Sequence, residues 1–290
     1  MTSDVPSQTP PSVAEALADN LANWDERARL HVASYRAEAF ADDPEALELV
    51  ARTSLELMKP HLPGGSLAGL DVAHLQCHIG TDSISLARMG AYVTGVDFSG
   101  EAVGIARRLA DRAGVADRAR FVRASLPEAA AALGGRLFDL VYTSVGVLTW
   151  LPDLSEWAAA IDSLLKPGGL FFILEDHPML FALDWDEERG RLVAAHPYFH
   201  QPEPTTWADG WDYSSPERLR NQRSHGWAHP LSETITVLLD AGLRVESFKE
   251  HRTMFWEANE AMVGADGEWT LRDHPERVPL MFSLAARKPA

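Results

Sequence analysis

A carboxylate at the tip of one strand, close to a glycine-containing turn, could bind a nucleotide-like ligand. The apolar residues 72–75 lead into the turn QCHIGTD, and an alternating run then ends on Asp97. Asp97 follows Gly80 by 17 residues, near the roughly 20 typical of a nucleotide-binding unit. Such a unit places the acid beside a helix N-terminus at one edge of a parallel sheet. This edge suits a cofactor that contains adenosine, whose two ribose hydroxyls would donate to the acid.

Two residues that could move a proton follow the apolar run LFFIL of residues 170–174, namely Glu175 and His177. Alternate strand residues face the same side, so we expect both to point into the ligand crevice. There the carboxylate would orient the imidazole and the imidazole would take the proton. The open alternative is that Glu175 only orders the pocket. Tyr35 and His225, from segments expected to cover the site, are the other candidate bases.

Two histidine pairs have an i,i+4 spacing that could suggest metal binding: His196 with His200, and His225 with His229. Pro197 and Pro230 would interrupt any helix that aligned them. No cysteine cluster accompanies them. The sequence therefore predicts polar loop contacts for these histidines and no metal site.

Composition bounds the class of protein and its partners. The chain has 290 residues, 46% hydrophobic and 23% charged, with a net charge of −16. This charge argues against a nucleic-acid partner. The single cysteine, Cys77, fits a reducing compartment. Residues 1–12 lack the features of a signal peptide, and no apolar run approaches the roughly 18 residues of a membrane span. We expect a cytoplasmic protein with no membrane partner.

The order of elements predicts the fold class. Residues 13–62 have a helical composition, and residues 68–175 then alternate strand and helix with short loops. Strict alternation favours parallel strands with right-handed crossovers, and hence an α/β doubly wound sheet. The predicted divisions are a disordered start (1–12), a helical cap (13–62), a cofactor-binding core (63–180), an inserted segment (181–228) and the completion of the sheet (229–290).

The inserted segment, residues 181–228, breaks the alternation. It holds four of the nine tryptophans and resembles neither a regular strand nor a regular helix. A loop this long is usually functional or a small subdomain, and its aromatic content argues against disorder. We expect it to close over the site together with the N-terminal helices. Its aromatic residues suggest a planar aromatic or heteroaromatic substrate.

In this order of motifs the chain resembles the class I S-adenosylmethionine-dependent methyltransferases. The likeness covers about residues 66–175 and resumes at 230–288. It rests on the acid-tipped second strand, the strand FDLVYTS, the turn LLKPGG and a final pair of strands. The first motif, HLQCHIGTD, resembles a bacterial subgroup that acts on small molecules. The resemblance implies a Rossmann-like sheet of seven strands, mostly parallel, with the last one antiparallel.

The first motif departs from the usual acid-x-Gly-x-Gly-x-Gly of this family. The corresponding positions are His74, Gln76, His78 and Gly80, so only the last glycine remains. Either Gln76 and His78 supply side-chain contacts to the cofactor, or the site has lost it. The intact Asp97 favours the first explanation. At Ser125, the family often has an Asp that accepts from the adenine amino group.

The resemblance implies S-adenosylmethionine as the cofactor and S-adenosylhomocysteine as its product. The predicted contacts are Gln76, Cys77, His78, Gly80, Asp97, Phe98, Ser125, Leu126, Thr143, Ser144 and Val145. The predicted activity is methyl transfer to oxygen, nitrogen or carbon of a small organic acceptor. One alternative is a protein that binds S-adenosylmethionine without transferring methyl. The other is a nicotinamide-dependent oxidoreductase, which the single glycine of the turn disfavours. The sequence leaves the oligomeric state open, and a homodimer is possible.

Overall fold

The computed structural model describes residues 10–290. Along the chain, the helices and strands are α1 (Val13–Ser34), α2 (Ala37–Asp42), α3 (Leu49–Met58), β1 (Asp71–Leu75), α4 (Thr81–Arg88), β2 (Tyr92–Asp97), α5 (Gly100–Arg112), β3 (Ala119–Arg123), α6 (Ala129–Ala132), β4 (Phe138–Ser144), α7 (Leu154–Leu164), β5 (Leu165–Asp176), α8 (Pro178–Ala182), β6 (Leu183–Asp186), β7 (Arg191–Ala194), β8 (Thr205–Trp207), β9 (Ser224–Gly226), α9 (Leu231–Asp240), β10 (Arg244–His251), β11 (Met262–Ala265), β12 (Glu268–Leu271) and β13 (Met281–Arg287). Short 3₁₀ turns lie at Lys59–His61, Pro63–Gly65 and Leu148–Trp150.

Seven strands form one sheet in the order β10-β13-β5-β4-β1-β2-β3. The strands β1 to β5 pair in parallel, whereas β13 is antiparallel to both of its neighbours, β5 and β10. The predicted doubly wound sheet, with one antiparallel strand at the end of the chain, is therefore confirmed. In this topology the carboxyl ends of β1, β2, β4 and β5 meet at one edge, where ligands of such folds bind.

The glycines around β1 and β2 permit close packing beneath that edge. Gly80 has a φ of 80° at the start of α4, and a Cβ there would lie 2.6 Å from the ring of Phe121. A Cβ at Gly95 would lie 2.6 Å from the same ring and 2.7 Å from the sulfur of Cys77. Only glycine fits at either position, so the start of α4, the turn after β1 and the strands β2 and β3 are held in tight contact.

The N-terminal segment is helical, as predicted, but it is divided into α1, α2 and α3. Of the start predicted to be disordered, residues 1–9 lie outside the described residues. Ser12, in contrast, forms a capping box with Glu15 at the start of α1. The helix α1 packs against α5 and against β9 of the inserted segment, so it joins the core to its covering segment. No helix in the described part of the chain is long and apolar enough to cross a membrane.

The inserted segment has more regular structure than its sequence predicts. It contains two antiparallel hairpins, β6–β7 and β8–β9. A third hairpin, β11–β12, lies between β10 and β13 and was not predicted. Strands of three or four residues are too short to show the alternation by which strands are recognised.

Candidate active site

A cavity of about 1330 Å³ opens at the carboxyl edge of the sheet. It is lined by the turn after β1 and by Asp97 at the end of β2. Aromatic residues of α1, the inserted segment and the β10–β11 loop line it as well. The cavity therefore joins the predicted cofactor edge to a chamber formed by the predicted covering segments.

Asp97 occupies the predicted position and faces the cavity. One of its carboxylate oxygens accepts from the backbone N–H of His78 at 2.8 Å, and the other accepts from that of Ser99 at 2.9 Å. Each oxygen keeps a second acceptor position. Burial raises the pKa of Asp97 to about 6. The two backbone bonds fix the carboxylate beside the N-terminus of α5, where two hydroxyl donors could reach it.

The turn after β1 places Gln76 and His78 on the cavity wall. Both have positive φ values, 56° and 51°, which side chains other than glycine rarely adopt. Gln76 donates through Nε2 to the carbonyl of Val147 at 3.2 Å. Its buried Oε1 has no hydrogen-bond partner among residues 10–290. This oxygen is therefore an unsatisfied acceptor of a residue on the cavity wall.

Most of the other predicted cofactor contacts also line the cavity: Cys77, Gly80, Phe98, Ser125, Leu126, Ser144 and Val145. The hydroxyl of Ser125 donates to the carboxylate of Glu128 at 2.6 Å, which leaves its oxygen free to accept. Cys77 is buried, and burial raises the pKa of its thiol well above the ordinary value. It therefore packs as a small apolar side chain.

Thr143 is an exception among the predicted contacts, because it does not line the cavity. It is fully buried in β4, between Leu75 of β1 and Ile173 of β5. Successive strand residues point to opposite faces, so Thr143 and Ser144 cannot both face the ligand. The side chain of Thr143 therefore cannot make the predicted contact, whereas Ser144 lines the cavity and stays a prediction.

Glu175 was predicted as a catalytic carboxylate, and the structure contradicts this. Its two oxygens accept four backbone N–H bonds, from Gly146, Val147, Leu148 and Asp176, at 2.5–3.3 Å. A carboxylate has about four lone-pair positions, so none remains for a substrate proton. Glu175 does not line the main cavity. It holds the loop after β4 in place, which is the ordering role left open from the sequence.

His177 also faces away from the cavity. Its Nδ1 accepts from the backbone N–H of Met179 at 3.0 Å, and its Nε2 lies 3.2 Å from Glu250 on β10. It caps α8 and was wrongly predicted as a base. The intervening residue, Asp176, faces the cavity instead. The predicted alternation was correct, but the sequence could not show which face of β5 meets the ligand.

Asp176 is the acid that the sequence did not identify. One of its oxygens accepts from Nε1 of Trp256 at 3.2 Å, and the other is buried without a hydrogen-bond partner in residues 10–290. Burial and the neighbouring charge of Glu175 raise the pKa of Asp176 well above its usual value. The site thus contains a carboxyl group that favours its protonated form.

His225, another predicted base, is fully buried outside the cavity. Its backbone and Asn20 of α1 form two reciprocal hydrogen bonds of 2.8 Å. Its ring bonds to Thr206 through Nδ1 and to Asp19 through Nε2. With both ring nitrogens engaged, His225 fastens β9 to α1, and the prediction of a catalytic role was wrong.

A chain of three side chains leads into the cavity at His78. The carboxylate of Asp212 accepts from Nη1 of Arg27 at 2.6 Å and lies 2.9 Å from Nε2 of His31. Nδ1 of His31 lies 2.8 Å from Nε2 of His78. Burial alone would raise the pKa of Asp212, but its hydrogen bonds from His31 and Ser214 hold it well below the usual value. Asp212 is therefore an anion that orients His31.

His78 itself stays neutral. Burial lowers its pKa well below the ordinary value. Because a carboxylate only accepts, Nε2 of His31 donates to Asp212. The tautomer in which Nδ1 of His31 accepts from Nε2 of His78 leaves Nδ1 of His78 as the basic nitrogen.

Aromatic side chains form the wall around His78. Its ring meets that of Trp24 edge-on at 5.3 Å, and Trp24 meets Trp150 in the same way. Tyr35, the fourth predicted catalytic residue, lines the cavity, and its hydroxyl is hydrogen-bonded to that of Tyr213. Burial raises the pKa of Tyr35 well above its ordinary value, so the phenol stays protonated and can only donate or relay a proton.

A second acidic position near the first motif was not predicted. Asp82, in the first turn of α4, lines the cavity together with Glu48. It accepts from the hydroxyl of Ser144 at 3.1 Å, and His74 bonds the same hydroxyl. Burial and the charge of Glu48 raise the pKa of Asp82 to about 7. The first motif therefore still has an acid on the cavity wall, although its usual acidic position holds His74. Burial lowers the pKa of His74 to about 3.

Histidines of the two i,i+4 pairs, for which the sequence predicts polar loop contacts and no metal site, meet in a different combination. His225 lies in the contacts described above, whereas the rings of His200 and His229 face each other with centroids 5.2 Å apart. Glu233 joins them, so that one ligand atom from each of the three residues lies within 4.8 Å of the others. Pro230 does not separate these groups because it begins α9 rather than interrupting it.

Comparison with known proteins finds matches over the part of the chain that contains the first motif and Asp97. The family model described as "Methyltransferase domain" matches residues 72–169. The "Ubiquinone biosynthesis O-methyltransferase" of Aromatoleum aromaticum is 39% identical over 106 residues, which cover 37% of this chain and 44% of the relative. The matched segments span about half the length of the curated relatives.

Solved structures share the fold over a larger part of the chain. An S-adenosylmethionine-dependent methyltransferase from Mesorhizobium loti has a TM-score of 0.55 and 21% identity, and the superposition covers 81% of this chain and 96% of the other. A glycopeptide N-methyltransferase complexed with (S)-adenosyl-L-methionine has a TM-score of 0.54 and 16% identity, covering 85% and 98%. Residues 72–169 thus match the methyltransferase-domain model, and the sheet has the fold of these solved methyltransferase structures.

Proposed function

We propose that the chain binds S-adenosylmethionine at the Asp97 edge and transfers its methyl group to oxygen, nitrogen or carbon of a small organic acceptor. The observation that carries this proposal is the single cavity that joins Asp97 and the first motif to the aromatic chamber. The match of residues 72–169 to the methyltransferase-domain model and the likeness of the fold to solved methyltransferases support this proposal. The O-methyltransferase names of the curated relatives favour oxygen as the acceptor atom.

The residues at the edge fit the cofactor. Asp97 has two free acceptor positions for the ribose hydroxyls, and Ser125 can accept from the adenine amino group. The unpartnered Oε1 of Gln76 and the carboxylate of Asp82 suit the ammonium group of the methionine part. These contacts favour the first explanation of the unusual motif, in which polar side chains replace the missing glycines.

The cofactor supplies a sulfonium methyl group that is transferred by in-line displacement. The aromatic walls exclude water and hold the acceptor atom in line, which is the main contribution that geometry can make to such a reaction. His78 accepts the proton that an oxygen or nitrogen nucleophile must lose, and Asp212 and Arg27 position His31 behind it. Trp24 and Asp176 also line the cavity, and we assign the orientation of the substrate to the indole N–H and the protonated carboxyl group.

Calorimetry with S-adenosylhomocysteine, followed by mass spectrometry of reactions with small phenols, amines and heteroaromatic compounds, tests this function. We expect stoichiometric cofactor binding and one added methyl group in at least one product. Asp97→Ala should weaken binding, whereas the exposed control Asp117→Ala should not. Binding without any methylated product would favour the alternative of a binding protein, and no binding at all would contradict the proposal.

The acceptor is proposed to be a small molecule and not a nucleic acid. The support is the net charge of −16, since a phosphate backbone would be repelled. Salt-sensitive binding of RNA or DNA in a gel-shift experiment would contradict this. A homodimer and a cytoplasmic location stay predictions, and the oligomeric state can be measured by light scattering.

A further inference from the structure

Three side chains outside the cavity converge from two separate segments. His200 comes from the inserted segment, after the hairpin β6–β7, while His229 and Glu233 lie on either side of the start of α9. His229 and Glu233 have side chains that are 2% and 26% exposed, and that of His200 is 34% exposed. Nδ1 of His229 lies 3.3 Å from one oxygen of Glu233, and Nδ1 of His200 lies 3.9 Å from the other.

The orientation of His229 is fixed by the opposite side of its ring. Its Nε2 lies 2.7 Å from the carbonyl oxygen of Leu151. A carbonyl can only accept, so Nε2 carries the proton and a neutral His229 presents the lone pair of Nδ1 to Glu233. A histidine that donates one ring N–H to a backbone carbonyl and presents the other nitrogen is the usual arrangement of a metal ligand.

The three facing atoms lack other partners. Nδ1 of His200, Nδ1 of His229 and Oε2 of Glu233 are all buried and without a hydrogen bond among the described residues. An ordinary ion pair between His229 and Glu233 would satisfy only two of them and would leave Nδ1 of His200 beside a cation. A ligand that accepts electron pairs from all three atoms would satisfy the whole group.

We propose that His200, His229 and Glu233 bind one divalent transition-metal ion of the zinc class. Two imidazole nitrogens and a carboxylate suit zinc, whereas magnesium and calcium prefer oxygen ligands. Zinc–ligand distances near 2.0–2.1 Å place tetrahedral ligands about 3.4 Å apart. The two Nδ1 atoms lie 3.3 and 3.9 Å from different oxygens of Glu233, and one ligand atom from each residue lies within 4.8 Å of the others. Rotation of the partly exposed His200 and Glu233 side chains would bring these atoms to the tetrahedral spacing. The fourth position is left for water.

Such an ion would fasten the inserted segment to the core. His200 belongs to the same segment as Trp207 and Tyr213, which line the main cavity, while α9 packs on α7 beside the sheet. The carbonyl that orients His229 belongs to Leu151, another residue of the cavity wall. Metal binding would therefore stabilise one wall of the acceptor chamber without contacting the Asp97 edge.

Zinc binding by untagged, chelator-stripped protein tests the proposal. Competition with a chromophoric chelator should give one zinc ion per chain, and Co²⁺ should give the visible absorption of a four-coordinate site. His200→Gln and Glu233→Gln should each weaken zinc binding by at least about 100-fold, more than the loss of an outer-shell partner costs. His196→Gln is the matched control, because this histidine lies in the same segment but outside the group. Zinc should raise the Tm of the parent and of the control only.

The outcomes are distinct from those of the methyl-transfer experiments, since the metal assays use neither cofactor nor acceptor. Circular dichroism would verify that the variants are folded. The proposal is overturned if the parent binds neither zinc nor Co²⁺ stoichiometrically, or if His200→Gln and Glu233→Gln bind as tightly as the parent. Equal loss of binding in His196→Gln would also overturn it, since the ligands would then be other residues.

Discussion

Nδ1 of His31, on the first helix, lies 2.8 Å from Nε2 of His78, in the turn after the first strand of the sheet. Asp212, from the inserted segment, holds the other side of His31. Three segments that are far apart in the sequence thus form one buried chain that ends in the cavity. The arrangement resembles a general base with its orienting acid, in which the acid fixes the tautomer rather than taking the proton.

His78→Gln should lower methyl-transfer turnover by about 10²–10⁴-fold, the range for loss of a general base. Asp212→Asn should also lower turnover, because an amide can present a donor to His31 and disturb the tautomers of both rings. The affinity for S-adenosylhomocysteine should change little in Asp212→Asn. Steady-state kinetics and calorimetry check these expectations, and His274→Gln is the control because it is exposed outside the cavity.

Turnover near the parent value in His78→Gln would move the base elsewhere, with Asp176 as the next candidate. The pH profile separates a positioning role from a general loss of structure. If Asp212 acts only through His31 and His78, its replacement should shift the acid limb of the kcat profile as well as lower its maximum.

The cofactor edge could be predicted from the sequence because its signals are local. Gly80 and Asp97 belong to one strand–turn–helix–strand unit, and spacing within such a unit fixes where they meet. Ser99 caps α5 for the same local reason. The turn geometry of Gln76 and His78 was not predictable, since a positive φ at these residue types has no pattern of its own.

The acceptor side could be predicted only in part, because it is assembled from distant segments. Alternation along β5 placed Glu175 and His177 on the same face, which is correct. Alternation gave no means of deciding which face of β5 meets the cavity, because this depends on the loops that pack against the strand. Asp176 was therefore missed. Arg27, His31 and Asp212 were missed for a similar reason: their contacts span about 180 residues of sequence.

Glu175→Gln should act on stability rather than on catalysis. The amide keeps one acceptor oxygen, but its NH₂ group would face backbone N–H donors that Glu175 now satisfies. Loss of these charge-assisted bonds should lower the free energy of unfolding by about 2–3 kcal/mol. Chemical denaturation checks this, with the exposed Glu217→Gln as control. Unchanged stability with turnover lowered at least 100-fold would restore the catalytic role predicted from the sequence.

The affinity for S-adenosylhomocysteine should fall as the pH is lowered through the pKa of Asp97. Burial raises that pKa to about 6, and ribose hydroxyls donate to the ionised form. Below pH 6 the protonated form dominates, so each further pH unit should raise the Kd by up to about tenfold. Because Asp82 titrates nearby, the measurement is best made on Asp82→Asn, where the remaining midpoint should lie near pH 6. A flat profile between pH 5 and 8 in that variant would contradict the assignment of Asp97.

Asp82 should supply the acid that the first motif lacks. Its pKa of about 7 in the free protein reflects burial and the charge of Glu48, and an ammonium group bound beside it would favour the ionised form. Asp82→Asn should therefore weaken S-adenosylhomocysteine binding at pH 8 by about 1.5–3 kcal/mol, the scale of a hydrogen bond to a charged group. An analogue without the amino group should bind the parent and the variant alike, because it has nothing to offer the carboxylate. Calorimetry with both ligands gives the test, and an equal loss of affinity for the two would show that Asp82 only orders Ser144 and His74.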